Sequence, residues 1–185
     1  SLLEHLEKKG FSRADIEKAG LIVRGDKSTY DRFRSRIMFP IKNHTGAVIG
    51  FSGRIFGDAP EGQGKYVNSP ASALFDKSKV LYGIDRAKRA IRETGACILV
   101  EGQMDVILAH QAGTEHVVGV SGTALTPDHI KILSGHTDKV TFVLDSDNAG
   151  FKASERGVRV AVKEGMHVTV VPLPKGSDPA DVAGT

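Results

Sequence analysis

The chain has 185 residues, 40% of them hydrophobic, with 25 Lys/Arg against 22 Asp/Glu and one cysteine, a globular composition sized for one large domain or two small ones. No apolar run approaches the roughly 18 residues of a membrane-spanning helix, and no basic stretch leads into an export-type apolar core. Cys97 alone excludes an internal disulfide and a thiolate zinc site, which points to a reducing, cytosolic compartment.

The charge is unevenly placed. Residues 1–92 hold 18 Lys/Arg against 10 Asp/Glu, residues 93–185 hold 7 against 12, and nine of the eleven aromatics lie in the first half. Two units with different electrostatic roles are expected, a basic one suited to a polyanion and an acidic one suited to cations. Residues 1–20 read as two short helices, with Leu2, Leu3 and Leu6 at helical spacing, Gly10 as a stop and Ser12 as an N-cap. Residues 36–56 read as a β-hairpin around Asn43–Gly46, and Pro40 argues for an edge position or an irregularity in its first strand. Residues 57–80, with three glycines and two prolines, read as a long irregular loop.

From about Arg86 the pattern changes. A helix over 84–94 is followed by the strand 97–100, a helix from about Met104, a strand at 116–120 and a helix over 127–134. A strand at 140–144, a helix over 149–164 and a strand at 168–171 complete the run. Short apolar strands alternating with helices predict a parallel sheet of βαβ units, in which ligands collect beyond the carboxyl ends of the strands.

Those ends are acidic. EGQMD (101–105) follows the first strand, DSDNAG (145–150) the third and KGSDPAD (175–181) the last, bringing six carboxylates to one edge. Three carboxylates about 5 Å apart would repel by roughly 3 kcal/mol per pair at an effective dielectric of about 20. A trapped cation relieves this, and oxygen donors without His or Cys suit Mg²⁺ or Mn²⁺. Each motif also has a purely structural reading: Asp105 as a first-turn acid, Asp147 or Asn148 as an N-cap, Asp178 as an N-cap before Pro179. None of these accounts for Asp145 or for Glu101 at the end of a buried strand. The turn Ser121–Thr123 reads either as a phosphate contact or as a plain turn, and Thr126-Pro127 as a helix start.

In the basic half, a strand over 30–36 would put Arg32, Arg34 and Arg36 on one face and Phe33 on the other. Arg54 falls in the partner strand of the hairpin, and Lys65-Tyr66-Val67-Asn68 and Lys77 follow in the loop. Cations interleaved with aromatics suit a nucleic-acid backbone or a triphosphate, or form a solvated face.

The trio EGQMD, DSDNAG and DPAD (178–181) resembles the Toprim domain, the metal-binding module of primases, type IA and type II topoisomerases and some nucleases. YDRFRSRIMFPI (30–41), GFSGRIFG (50–57), KYVNSP (65–70) and LYGIDRA (81–87) narrow the resemblance to the catalytic core of bacterial replicative DNA primase, over nearly the whole chain. The family often has an aromatic at Gln103, a glycine at Ser146 and an acid at Ala180, where this chain has Asp181 one residue on.

The resemblance implies an α/β fold, a Toprim-type parallel sheet flanked by helices over residues 91–185, preceded by a smaller mixed α+β basic lobe over residues 1–90. It implies a nucleotidyltransferase, a DNA-directed RNA polymerase that makes short RNA primers on single-stranded DNA from ribonucleoside triphosphates. Glu101, Asp145 and Asp147 match the catalytic metal-binding acids, with Asp105 and Asp178 as supporting acids; Arg54, Lys65, Asn68 and Lys77 match positions for nucleotide and template. Two Mg²⁺ or Mn²⁺ ions, no zinc, an RNA–DNA hybrid product and a replicative helicase reached through a domain outside this chain are further implications. So are a place in the bacterial replisome and a chain that is a fragment of a longer protein. The rival readings are a Toprim nuclease or topoisomerase, a phosphoaspartyl protein, and a non-catalytic single-stranded DNA-binding module. Tyr30, Tyr66 and Tyr82 offer no clear topoisomerase nucleophile.

Overall fold

Ser1 and Ser12 open the first two helices, each accepting a hydrogen bond from the backbone N–H three residues on. In the computed structural model, which describes residues 1–26, 28–57, 64–144 and 148–173, these are α1 (Leu2–Lys8) and α2 (Arg13–Lys18). Leu3 and Ile16 bury with Ile22 in a small core, and the Asp31 carboxylate accepts from the N–H groups of Leu2 and Leu3 at 2.7 and 3.0 Å, satisfying donors that a helix start leaves open. β1 (Ile22–Arg24) and β2 (Thr29–Asp31) form an antiparallel pair. β3 (Arg36–Lys42), β4 (Val48–Ile55) and β5 (Tyr66–Asn68) form a three-stranded sheet in that order.

β3 is thus an edge strand, where Pro40 costs no ladder hydrogen bond. The β3–β4 turn is fixed by Asn43, whose Oδ1 accepts from Thr45 N–H, Thr45 Oγ1 and Ala47 N–H. β1 and β5 are elements that the sequence does not announce, each only three residues long and too short to show an alternation, and β2 takes up only the start of the strand considered over 30–36.

The chain divides into two compact units, residues 1–41 with 48–76, and residues 42–47 with 77–185. In the second, a short 3₁₀ turn (Lys77–Lys79) precedes α3 (Ile84–Thr94), β6 (Cys97–Val100), α4 (Gln103–Gln111) and β7 (Val117–Gly119). α5 (Pro127–Ser134), β8 (Lys139–Leu144), α6 (Asn148–Lys163) and β9 (His167–Pro172) follow. The four strands make a parallel sheet in the order β7-β6-β8-β9.

Alternate strand residues point to opposite faces. Leu99, Val118 and Phe142 pack with Ala87 and Ile91 of α3, Ile130 and Leu133 of α5, and Ala161 of α6. Val100 and Val117 pack with Val106 and Ala109 of α4 on the other side. Among the described residues no helix is long and apolar enough to cross a membrane.

Candidate metal and nucleotide site

The central strand β6 ends at Val100, and the chain turns at Glu101 and Gly102 into α4. Gly102 is extended (φ −110°, ψ 165°) and its N–H donates to Asp105 Oδ2 at 2.9 Å. The Asp105 carboxylate therefore serves a free helix-start donor and lies at the positive end of the helix dipole. A Cβ on Gly102 would stand 2.9 Å from Asp105 Oδ2, so the carboxylate lies close over a position that carries no side chain. Glu101 Oε1 is buried, and Gln103 is 4% exposed.

The next strand over supplies the other wall. Val120 N–H donates to Val100 O at 3.2 Å and Gly122 N–H to Glu101 O at 3.4 Å. Ser121 and Gly122 are both left-handed (φ 57° and 72°), and Ser121 Oγ is buried with no hydrogen-bond partner among the described residues. Glu101, Gly122, Thr123, Leu125 and Phe142 border a cavity of about 280 Å³. The turn after β7 thus lies against Glu101, a feature the sequence marks only as Ser-Gly-Thr after a strand.

β8, the parallel neighbour of β6 with Leu99 opposite Phe142, leads in sequence into Asp145-Ser146-Asp147, and β9, paired to β8, leads toward Asp178. Asp145, Asp147 and Asp178 lie outside the described residues, as does Asp181. Among the described residues no three His, Cys, Asp or Glu side chains gather in a metal-holding group; the two acids placed there, Glu101 and Asp105, supply only carboxylate oxygens, a donor type that fits a hard divalent cation.

The basic residues divide between the units. Arg54 and Tyr66 are cross-strand partners, and the guanidinium carbon stands 5.9 Å from the ring centroid. Asn68 faces Ser52 across the same ladder. Asn68 Oδ1 and Ser52 Oγ are both buried without a hydrogen-bond partner among the described residues, so Ser52 joins Asn68 as a buried polar group on this ladder. Its signal in the sequence was only its place two residues before Arg54. Lys65 is exposed, and its carbonyl accepts from Ile55 N–H at 3.0 Å.

Lys77 belongs to the second unit. Its carbonyl lies 2.9 Å from His129 Nε2, and Thr126 Oγ1 donates to Ser78 O at 2.6 Å. Since Thr126 N–H donates to His129 Nδ1, the imidazole is the Nε2–H tautomer and donates to Lys77 O. His129 is fully buried, so the start of α5 anchors the turn that carries Lys77.

The expected arginine face over 30–36 is corrected. β2 ends at Asp31 and Ser35 is left-handed (φ 52°), which breaks the alternation before Arg36. Arg34 instead sits over the Tyr30 ring at 4.4 Å. Arg36 donates to the carbonyls of Gly53, Gly64 and Lys65, and a Cβ on Gly53 would lie 2.9 Å from Arg36 Cδ. Arg36 straps β4 to the segment before β5 and offers its charge to backbone.

An acid-tipped central strand in a β7-β6-β8-β9 parallel sheet covered by helices defines a Toprim-type α/β domain. Residues 95–172 match the Toprim domain family, and residues 1–88 match the family described as DNA primase catalytic core, N-terminal domain. The chain is 40% identical over 184 residues to DNA primase of Staphylococcus aureus (strain COL), covering 98% of this chain and 30% of that protein's length. It is similar to the Aquifex aeolicus primase solved with its zinc binding and RNA polymerase domains, at a TM-score of 0.88 and 37% identity over 97% of this chain and 44% of that one. A DnaG primase catalytic domain bound to single-stranded DNA superposes with a TM-score of 0.84 and 37% identity, over 96% of this chain and 56% of that one. The chain belongs to the family of bacterial DNA primase catalytic cores.

Proposed function

We propose that the chain carries the polymerising centre of a DNA primase, joining ribonucleotides into short primers on single-stranded DNA. The observation that carries this reading is the β6–α4 turn. There Glu101 and an Asp105 pinned to the Gly102 N–H stand at the end of the central parallel strand, in a chain 40% identical to a DNA primase.

Glu101, Asp145 and Asp147 would hold two Mg²⁺ or Mn²⁺ ions, with Asp105 and Asp178 in support. When bound, such ions supply a more acidic primer 3′-hydroxyl and neutralise charge on the leaving pyrophosphate. Arg54, Lys65, Asn68 and Lys77 bind the triphosphate and template, so the chain's own contribution is positioning and electrostatics, with no protein nucleophile. The partners of this reading are single-stranded DNA, ribonucleoside triphosphates and, for the longer protein, the replicative helicase; its setting is the bacterial cytoplasm.

The test pairs a binding and an activity readout. Asp145→Ala and Glu101→Gln are each expected to lower ribonucleotide incorporation on a single-stranded template by about 10²-fold or more, and to weaken Mn²⁺ binding measured by electron paramagnetic resonance. Incorporation and Mn²⁺ affinity both unchanged would refute the assignment. Nicking of DNA in metal without nucleotides would move the reading to a Toprim nuclease.

A further inference from the structure

A second concave, charged place lies in the unit that contains the parallel sheet, bordered by α3, α5 and the turn 42–47. α3 presents Ile84, Lys88 and Arg92 at intervals of four, which places them on one face of the helix. α5 presents Ile132, and His136 follows just after its end, before β8 begins. The turn 42–47 completes the enclosure: Lys88 Nζ donates to His44 O at 2.8 Å, and Lys42 Nζ stands 3.7 Å from Asp85. Lys42, His44, Ile84, Ile132 and His136 border a cavity of about 230 Å³.

Four observations set this cavity apart from an ordinary basic surface. Its floor is apolar, formed by Ile84 and Ile132. His136 Nδ1 is buried and has no hydrogen-bond partner among the described residues. Burial holds His136 below the usual imidazole range, and the neighbours that add to this effect, Arg92, Lys88 and His44, are all cationic or able to become so. The carboxylate at the rim, Asp85, is engaged by Lys42. Lys42 and Lys79 line the pocket, and Lys88 and Arg92 stand near enough to His136 to act on its charge; cations therefore surround a polar atom lacking a partner among the described residues, an arrangement that an anion with several acceptor oxygens would satisfy.

We propose that this cavity is an anion pocket that receives a phosphate group, supplied either by a free polyphosphate or by a nucleic-acid backbone. Its volume is below the roughly 300–1,000 Å³ of pockets that enclose whole small-molecule ligands, so it takes the phosphate and leaves a nucleoside outside. It is separate from the candidate metal site, since none of its lining residues borders the cavity at Glu101.

The experiment titrates the chain, in about 50 mM salt where phosphate contacts are strong and without divalent ions, with inorganic tripolyphosphate. In parallel it titrates a short single-stranded oligonucleotide, following the His136 and His44 imidazole resonances. Tripolyphosphate is expected to shift both resonances saturably. Arg92→Gln, an exposed position where folding is not at risk, should weaken that binding about fivefold, and Lys88→Gln at least as much. An oligonucleotide that moves the same resonances and is displaced by tripolyphosphate identifies the backbone as the source. One that leaves them unmoved while tripolyphosphate shifts them identifies a free polyphosphate. Resonances unmoved by both ligands, or equal affinity in the wild type and the Lys88→Gln/Arg92→Gln double variant, would overturn the proposal.

Discussion

At Gly102 the missing methyl gives the Asp105 carboxylate room to lie close against the 102 N–H. Gly102→Ala sets a Cβ 2.9 Å from Asp105 Oδ2 and should push the carboxylate off the 102 N–H. Losing that charge-assisted bond is expected to cost about 1–2 kcal/mol, seen as a melting temperature lower by about 3–6 °C in a domain of this size, together with weaker Mn²⁺ binding. Cys97 illustrates the opposite case, a residue whose surroundings silence it. Burial pushes its thiol up to about 12, so it should resist a thiol reagent at pH 8 until the chain is unfolded. The raised value means that the unfolded chain releases the proton first. The stability from keeping the thiol neutral is complete below about pH 9 and is lost as pH rises toward 12, which denaturant titrations across that window would register. Labelling of the native protein at the rate of the unfolded one would contradict the burial.

Elements formed by repeated apolar spacing are legible in the sequence; those fixed by single turns are not. β6, β8 and β9, with α3, α5 and α6 between or before them, follow from runs such as Cys97–Val100 and from Thr126-Pro127 at a helix start, because a buried strand and an amphipathic helix each repeat their signal. β1, β2 and β5 repeat nothing in three residues, and the left-handed Ser35 turned an apparent arginine strand into a bend. For the candidate site, sequence spacing assigned Glu101 and Asp105 to the end of one strand, where they are found. It gave no sign that the Ser121-Gly122 turn would lie against Glu101, or that Ser52 would face Asn68, since both depend on strand register. α6 carries a test of packing at this scale. Gly157 is buried, and a Cβ there would meet Phe142 Cε1 at 3.1 Å and Leu125 Cβ at 3.6 Å. Gly157→Ala is expected to stay within about 1 kcal/mol of the parent, because better helix propensity offsets the crowding. Gly157→Val should cost about 2–3 kcal/mol by overpacking, measured by chemical denaturation.

Across the whole molecule the division of charge predicts how any polyanion is held. If Arg54, Lys65, Lys77 and one further cation each neutralise one phosphate of a single strand, the logarithm of the binding constant should fall against the logarithm of salt concentration with a slope of about −3. Titrations of a fluorescent oligonucleotide at several ionic strengths give that slope, and a value near zero would remove phosphate contacts from the account. The two units also differ in how far along the chain their partners lie. β1–β2 and β4–β5 pair strands close in sequence, such as Val23 with Tyr30, whereas β6 must wait for β8, pairing Cys97 with Val140. Long-range pairing of this kind delays folding. On a ribosome, where synthesis proceeds from the amino end, the hairpins can close while the strand behind Glu101 still lacks its neighbour, so the end of the sheet that bears Glu101 is among the last parts of the chain to be assembled.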